Sequence, residues 1–265
     1  MDFLNIKNKT FLITGVANKK SIAYVTAKNL ESFGADLIFS VQSREQQIKL
    51  EKLFPAVTSF ICDVEKEQDV KNLGELIKNH GRPLAGIVHS IAFANYSAGI
   101  KPFHETDLKD YLQATNISCF SLVQLARYLK DSLTQDASIV TVSISNTRAT
   151  NYGYMGPIKA ALNASVDFLA KSLAETSNIR VNAVCSGPLK TSASAGIPDY
   201  INNYLFAEQL TLRKAALKTS EVANTICFLL SPSSSGINAT GIVVDAGMGC
   251  NTFDQKVVNT VANNL

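Results

Sequence analysis

Seven short apolar runs recur along the chain: Phe11–Thr14, Leu37–Val41, Thr58–Ile61, Leu84–His89, Ser138–Ser143, Arg180–Cys185 and Ile242–Asp245. Each is continuously apolar rather than alternating, the pattern of a parallel strand covered on both faces. Between them lie longer helical patterns, at about 21–33, 44–53, 65–79, 107–131, 153–176 and 219–230. Regular strand–helix alternation restricts the chain to the α/β class, a doubly wound parallel sheet with helices on both faces. No repeat or linker divides it, so residues 1–265 are expected to form one domain with one sizeable core. Ligands of such sheets bind beyond the carboxyl ends of the strands, at the point where strand order reverses. The residues following each run therefore matter most.

Composition narrows the function classes. The net charge of +3 is small and scattered, with no Lys/Arg-rich run, which argues against nucleic acid. The N-terminus, MDFLNIKNKTFLITG, has no apolar targeting core, and no stretch is long enough to span a bilayer. Five widely spaced cysteines, odd in number and without C-x-x-C, read as buried thiols in a reducing compartment. A cytoplasmic protein without a metal site is expected. Residues 187–214 are too long for a plain strand-to-helix link. A lid over substrate is one reading, because the segment follows a strand's carboxyl end. A helical insertion packed on the core is the other.

The strand ends suggest a dinucleotide. In TGVANKKSIA (14–23), Gly15 permits a tight turn and Ser21 is placed to cap the first helix. The exposed N–H groups of that helix end favour a pyrophosphate. The G-x-G-x-x-G fingerprint is absent, so this motif alone is weak. The acid expected about 20 residues further on falls at Asp36, the wrong end of the second strand. The carboxyl end carries Gln42, which suits a ribose, and Arg44, which suits a 2′-phosphate. NADH is favoured, with NADPH left open. Asp63 offers an acceptor for an adenine amino group and Val64 an apolar contact for its ring. His80, His89 and His104 are assigned no chemistry.

The segment NYGYMGPIK (151–159) holds two tyrosines and a lysine. At 100° per residue, Tyr152 returns to nearly the face of Lys159, whereas Tyr154 diverges. Met155 also shares that face, four residues before the lysine. An acid three positions earlier than Met155 lies ~4.5 Å further along a helix axis. That displacement suits conjugate reduction, where charge appears on a thioester oxygen two carbons from the carbon receiving hydride.

Taken together, TGVANKKSIA, CDV (62–64), HSIAFAN (89–95), NYGYMGPIK, RVNAVCSGPLKTSASAGI (180–197) and SSGINATGIVVDAG (234–247) resemble enoyl-acyl-carrier-protein reductases over almost the whole chain. These are divergent short-chain dehydrogenase/reductases of bacterial fatty-acid synthesis. The resemblance implies a Rossmann-type sheet with a substrate-binding loop insertion at about 192–214. It implies reduction of a trans-2-enoyl thioester on acyl-carrier protein by NADH or NADPH, in a homotetramer. It makes Tyr152 the oxygen-binding donor and Lys159 the holder of the nicotinamide ribose. It places Gly15, Ser21 and Ile22 at the pyrophosphate, Gln42 at the adenosine ribose, and Asp63 and Val64 at adenine. Ser90, Ile91 and Ala92 would border the cofactor, and Pro188, Leu189 and Thr191 its amide and phosphates. Ala92, Tyr152 and Met155 would meet substrate.

The chain departs from the family at several positions. Ile144 stands where a second tyrosine is usual, Thr211 where proline is, Ala246 where glycine is, and the tail past Asn251 differs. Two alternatives follow: a specialised reductase of another unsaturated or carbonyl thioester in secondary metabolism, or a non-catalytic dinucleotide-binding paralogue.

Overall fold

The computed structural model describes residues 3–263 except 56, 98, 192, 193, 195, 196, 198 and 199. Seven parallel strands form one sheet: β1 (Thr10–Thr14), β2 (Asp36–Val41), β3 (Thr58–Ile61), β4 (Leu84–His89), β5 (Leu133–Ile144), β6 (Arg180–Ser186) and β7 (Thr240–Val244). Their order is β3-β2-β1-β4-β5-β6-β7, so the winding reverses between β1 and β4. β5 begins five residues before its apolar run, at Leu133. Gln135 and Asp136 are exposed there, so continuous apolarity could not mark the start.

Nine α-helices are described: α1 (Ile22–Ser32), α2 (Arg44–Leu53), α3 (Glu67–His80), α4 (Leu108–Thr115), α5 (Ser121–Leu129), α6 (Met155–Leu173), α7 (Tyr200–Leu210), α8 (Thr219–Leu230) and α9 (Gln255–Ala262). Successive strand residues feed two cores. Leu12, Ile87, Ile139 and Ala183 face α3, α5 and α6 through Val70, Leu73, Leu122, Leu125, Ile158 and Leu162. Phe11, Ile13, Val88, Val140 and Val184 face α1 and α8 through Ala27, Leu30, Val222 and Ile226. Burial on both faces is the physical cause of the continuous apolar runs.

The stretch expected as one helix at 107–131 is two, joined by a π turn at Asn116–Phe120. Within the turn the Ser118 hydroxyl accepts from the Phe93 N–H at 2.8 Å and donates to the Phe93 carbonyl at 3.0 Å. The wider turn thus fixes the chain just beyond β4. Asp36, at the amino end of β2, pairs with Arg82 at 3.0 Å, a surface contact.

Candidate active site

The carboxyl ends of β1 and β4 meet at Gly15. Its φ is +82°, and a Cβ there would lie 1.9 Å from the Ser90 carbonyl oxygen. Glycine is therefore required by the neighbouring strand end, before any ligand is considered. The Ser21 hydroxyl caps α1, accepting from the Tyr24 N–H at 3.3 Å. No acidic residue lies in the first turn of α1. Its N–H groups and dipole are thus uncompensated by a local carboxylate.

A cavity of about 920 Å³ runs along these strand ends. It is lined by Gly15, Ser21 and Ile22 at one turn and by Gln42, Cys62, Asp63 and Val64 beyond β2 and β3. Ser90, Ile91 and Ala92 follow from β4, Tyr152 and Lys159 from the α6 region, and Pro188, Leu189 and Thr191 from β6. Arg44 and Met155 are the exceptions among the residues proposed from sequence. Arg44 lies on the exposed face of α2. Met155 does not line the cavity and is buried in the core with Tyr154 and Ile158. One turn before Lys159, its helix face turns into the packed interior. Within the 192–214 insertion, Ser192, Ala193, Ala195, Gly196, Pro198 and Asp199 lie outside the described residues. Ile197, Tyr200, Asn203, Phe206, Ala207 and Leu210 form a wall of the cavity.

Tyr152 and Lys159 reach this cavity by a route that differs from helical periodicity. Tyr152 ends a 3-10 turn, Thr150–Tyr152. Gly153 then adopts φ 60°, ψ −150°, and α6 begins only at Met155. The Tyr152 backbone is not part of the helix, so the ~4.5 Å axial displacement does not apply. The segment is held from outside the cavity. The Tyr96 hydroxyl donates to the Tyr152 carbonyl at 3.0 Å, and the Tyr154 hydroxyl donates to the Asn95 carbonyl at 3.1 Å. The rings of Tyr96 and Tyr154 lie 5.4 Å apart. Tyr154 is thus structural, and its neighbour Tyr152 is aimed the other way.

Protonation states follow from burial. The Tyr152 hydroxyl bonds to none of the described residues, and burial, then the nearby Tyr200, pushes its pKa up to about 12. It remains a donor throughout the neutral range. Burial pulls the Lys159 pKa down to about 8, an effect opposed by the Cys119 and Cys185 thiols. At neutral pH the ammonium persists, and it donates to the Val142 carbonyl at 2.9 Å. His89 bonds Thr141 at 2.7 Å and Ser121 at 2.8 Å, and burial lowers its pKa to about 3. A neutral, fully bonded ring beneath the cavity is a packing element.

The donor set fits a nicotinamide dinucleotide. An uncompensated helix N-terminus lies at the switch point, a buried ammonium at mid-cavity, and the buried Ser143 hydroxyl has no partner among the described residues. Pro188, Leu189 and Thr191 close the β6 side.

Sequence reasoning did not single out Tyr200, Ser143, Asn203 or Phe206. Tyr200 is separated from Leu189 by eleven positions, and only the folded path of the insertion brings the two together. The C-terminal tail clamps the other end of α7. Asn251 donates to the Leu210 carbonyl at 2.8 Å, and Lys214 pairs with Asp254. Ile144, partly buried, lines the cavity and offers it no donor.

The chain is similar to known proteins over most of its length. The family model described as enoyl-(acyl carrier protein) reductase matches residues 15–249. The chain is 36% identical over 251 residues to the enoyl-(acyl-carrier-protein) reductase (NADPH) FabI of Staphylococcus aureus, covering 92% of this chain and 98% of the relative. It is 35% identical over 258 residues to the NADH form of Buchnera aphidicola, covering 95% and 99%. The Bacillus cereus enoyl-acyl carrier protein reductase, solved with NADP+ and indole naphthyridinone, superposes with a TM-score of 0.87 at 33% identity, covering 93% of this chain and 98% of that one. The Anaplasma phagocytophilum reductase in complex with NAD gives 0.87 at 29% identity, covering 94% and 96%.

Proposed function

The chain belongs to the enoyl-(acyl carrier protein) reductase family, and we propose that Tyr152 and Lys159 carry its reaction within a single domain spanning 1–265. That activity is reduction of the double bond of an enoyl thioester on acyl carrier protein, by NADH or NADPH, in fatty-acid biosynthesis. The observation that carries the residue assignment is the convergence of a protonated phenol and a buried ammonium in one cofactor-sized cavity.

When bound, the reduced nicotinamide supplies the hydride for the β-carbon of the enoyl group. The Tyr152 hydroxyl donates to the thioester oxygen, where negative charge gathers. A preorganised donor aimed at developing charge accounts for about 10²–10³ in turnover. Lys159, anchored on the Val142 carbonyl, keeps further N–H groups for the ribose hydroxyls. Its charge also favours the anionic transition state. Gly15, Ser21 and Ile22 would hold the pyrophosphate, and Pro188, Leu189 and Thr191 would flank the nicotinamide amide and phosphates. Ser90, Ile91 and Ala92 would border the cofactor, with Ala92 also meeting substrate. The α-carbon takes its proton from solvent or a relay.

NADH is the preferred cofactor in this reading. The Arg44 guanidinium is engaged by Gln47 at 2.5 Å and Glu51 at 3.6 Å on the exposed face of α2. Gln42, which lines the cavity, lies 3.5 Å from the Asp63 carboxylate. A 2′-phosphate there would meet the Asp63 carboxylate, which Lys66 pairs at 3.4 Å, and an Arg44 guanidinium already engaged elsewhere.

A cytoplasmic homotetramer completes the proposal. The outer faces of α4, the π turn and α6 carry Leu108, Leu112, Phe120 and Phe168, all exposed, with Phe168 at 80%. Adjoining apolar residues of this size favour burial against other copies. No described helix is long and apolar enough to cross a membrane.

The test mixes purified protein with a trans-2-enoyl thioester and follows nicotinamide absorbance with NADH and, separately, NADPH. Rapid oxidation, faster with NADH, is expected. NADH binding without oxidation of any enoyl thioester would refute the assignment of the chemistry.

A further inference from the structure

Leu189, just past β6, turns both its backbone N–H and its carbonyl to the same atom. The Tyr200 hydroxyl accepts from the Leu189 N–H at 2.8 Å and donates to the Leu189 carbonyl at 2.9 Å. The carbonyl also accepts from the Thr191 N–H at 3.2 Å. Both Leu189 and Tyr200 line the large cavity, and Tyr200 opens α7, the helix that walls it. A single hydroxyl, donor and acceptor at once, thus satisfies a matched backbone pair.

The same pair is complementary to a primary carboxamide, whose oxygen and NH₂ lie side by side and would meet N–H and C=O with one partner each. A nicotinamide ring carries such a group. We propose that Tyr200 is an internal competitor for the carboxamide subsite: its hydroxyl holds the Leu189 pair, and the nicotinamide end of the cofactor displaces it. This rests on the cofactor reading above.

Two consequences follow from the connectivity. Tyr200 ties the first turn of α7 to the β6 loop by hydrogen bonds, beside the Lys190 ammonium that lies 4.5 Å from the Tyr204 ring, whereas the last turn of α7 is tied to the C-terminal tail through Asn251 and Leu210. Displacing Tyr200 loosens only the first of these ends. Cofactor binding is thereby coupled to the substrate wall, and cofactor should bind before substrate. The competition also acts only on ligands that bear the carboxamide.

Titration of Tyr200→Phe and the unaltered chain with NADH and with ADP-ribose separates this from ordinary structural damage, because ADP-ribose lacks nicotinamide. Removing the competing hydroxyl should tighten NADH by about tenfold, which corresponds to ~1.4 kcal/mol of lost competition. ADP-ribose affinity should be unchanged. Tyr200→Leu, which removes the ring as well, should show the same selective gain. Equal NADH affinity in variant and parent, weaker NADH binding, or a parallel change for both ligands would overturn the proposal. Failure of the parent chain to bind NADH at all would instead overturn the cofactor reading, and the competition with it.

Discussion

Replacing Lys159 with methionine separates what its charge does for function from what it does to stability. Lys159 is 4% exposed, and burial lowers its pKa from 10.5 to about 8. The interval corresponds to about 3 kcal/mol, at ~1.4 kcal/mol per pH unit. The sign is set by proton uptake. Below pH 8 the lysine is charged in both folded and unfolded chains, and the full destabilisation is present. Between about 8 and 10.5 the unfolded chain holds the proton more tightly, so this contribution to stability rises with pH. Above 10.5 the difference vanishes. Tyr152 and Cys62, both held up by burial to about 12 in the fold, titrate in this range in the unfolded chain, but they are common to both proteins. The informative quantity is therefore the stability gap between Lys159→Met and the parent, by urea unfolding at a series of pH values. The variant loses the bond to the Val142 carbonyl, which shifts the gap by a roughly constant ~1–3 kcal/mol. The gap should nevertheless change by about 3 kcal/mol in favour of the parent as pH rises from 7 to 10.5. NADH affinity should fall in the variant at neutral pH. A gap constant with pH would refute the reading of Lys159 as a desolvated cation.

Other perturbations read other parts of the site. Tyr152→Phe should reduce turnover about 10²–10³-fold while NADH affinity holds; since its hydroxyl bonds to no described residue, urea unfolding should move by less than ~0.5 kcal/mol. Retained turnover in a steady-state assay would remove Tyr152 as principal donor. Ile144→Tyr returns a phenol to the cavity wall and should raise turnover or shift the preferred acyl chain; identical rates across a chain-length series would make Ile144 silent. Gly15→Ala forces a Cβ to within 1.9 Å of the Ser90 oxygen at φ +82°. It should destabilise the fold by more than the ~1–2 kcal/mol of left-handed strain alone and abolish NADH binding, as read by unfolding and titration.

The sheet was legible because two cores leave a simple signature. Phe11 and Leu12 are adjacent, point to opposite faces and are both fully buried. Sequence patterning reads such pairs directly. It fails where burial is one-sided, as at the start of β5, where exposed Gln135 and Asp136 interrupt Leu133 and Ala137. The π turn at Asn116–Phe120 was invisible for a different reason. Ser118 within it bonds Phe93, twenty-five positions away, a contact that local periodicity does not register.

The Tyr152–Lys159 pair shows why a motif is weaker than the structure that presents it. Spacing alone suggests a shared helix face, yet the two residues meet across a break. Gly153, at φ 60° and ψ −150°, occupies backbone space that is essentially closed to other residues. With its hydroxyl-bearing neighbours Tyr96 and Tyr154 bonded on the far side, that break turns Tyr152 into the cavity while Met155 and Lys159 continue into the helix. A chain with alanine at 153 would preserve Tyr-x6-Lys letter for letter. It would also have to abandon the Gly153 conformation, carrying the Tyr152 hydroxyl away from its place in the cavity. In the proposed mechanism the chemistry therefore depends on the residue between Tyr152 and Lys159 as much as on the pair itself.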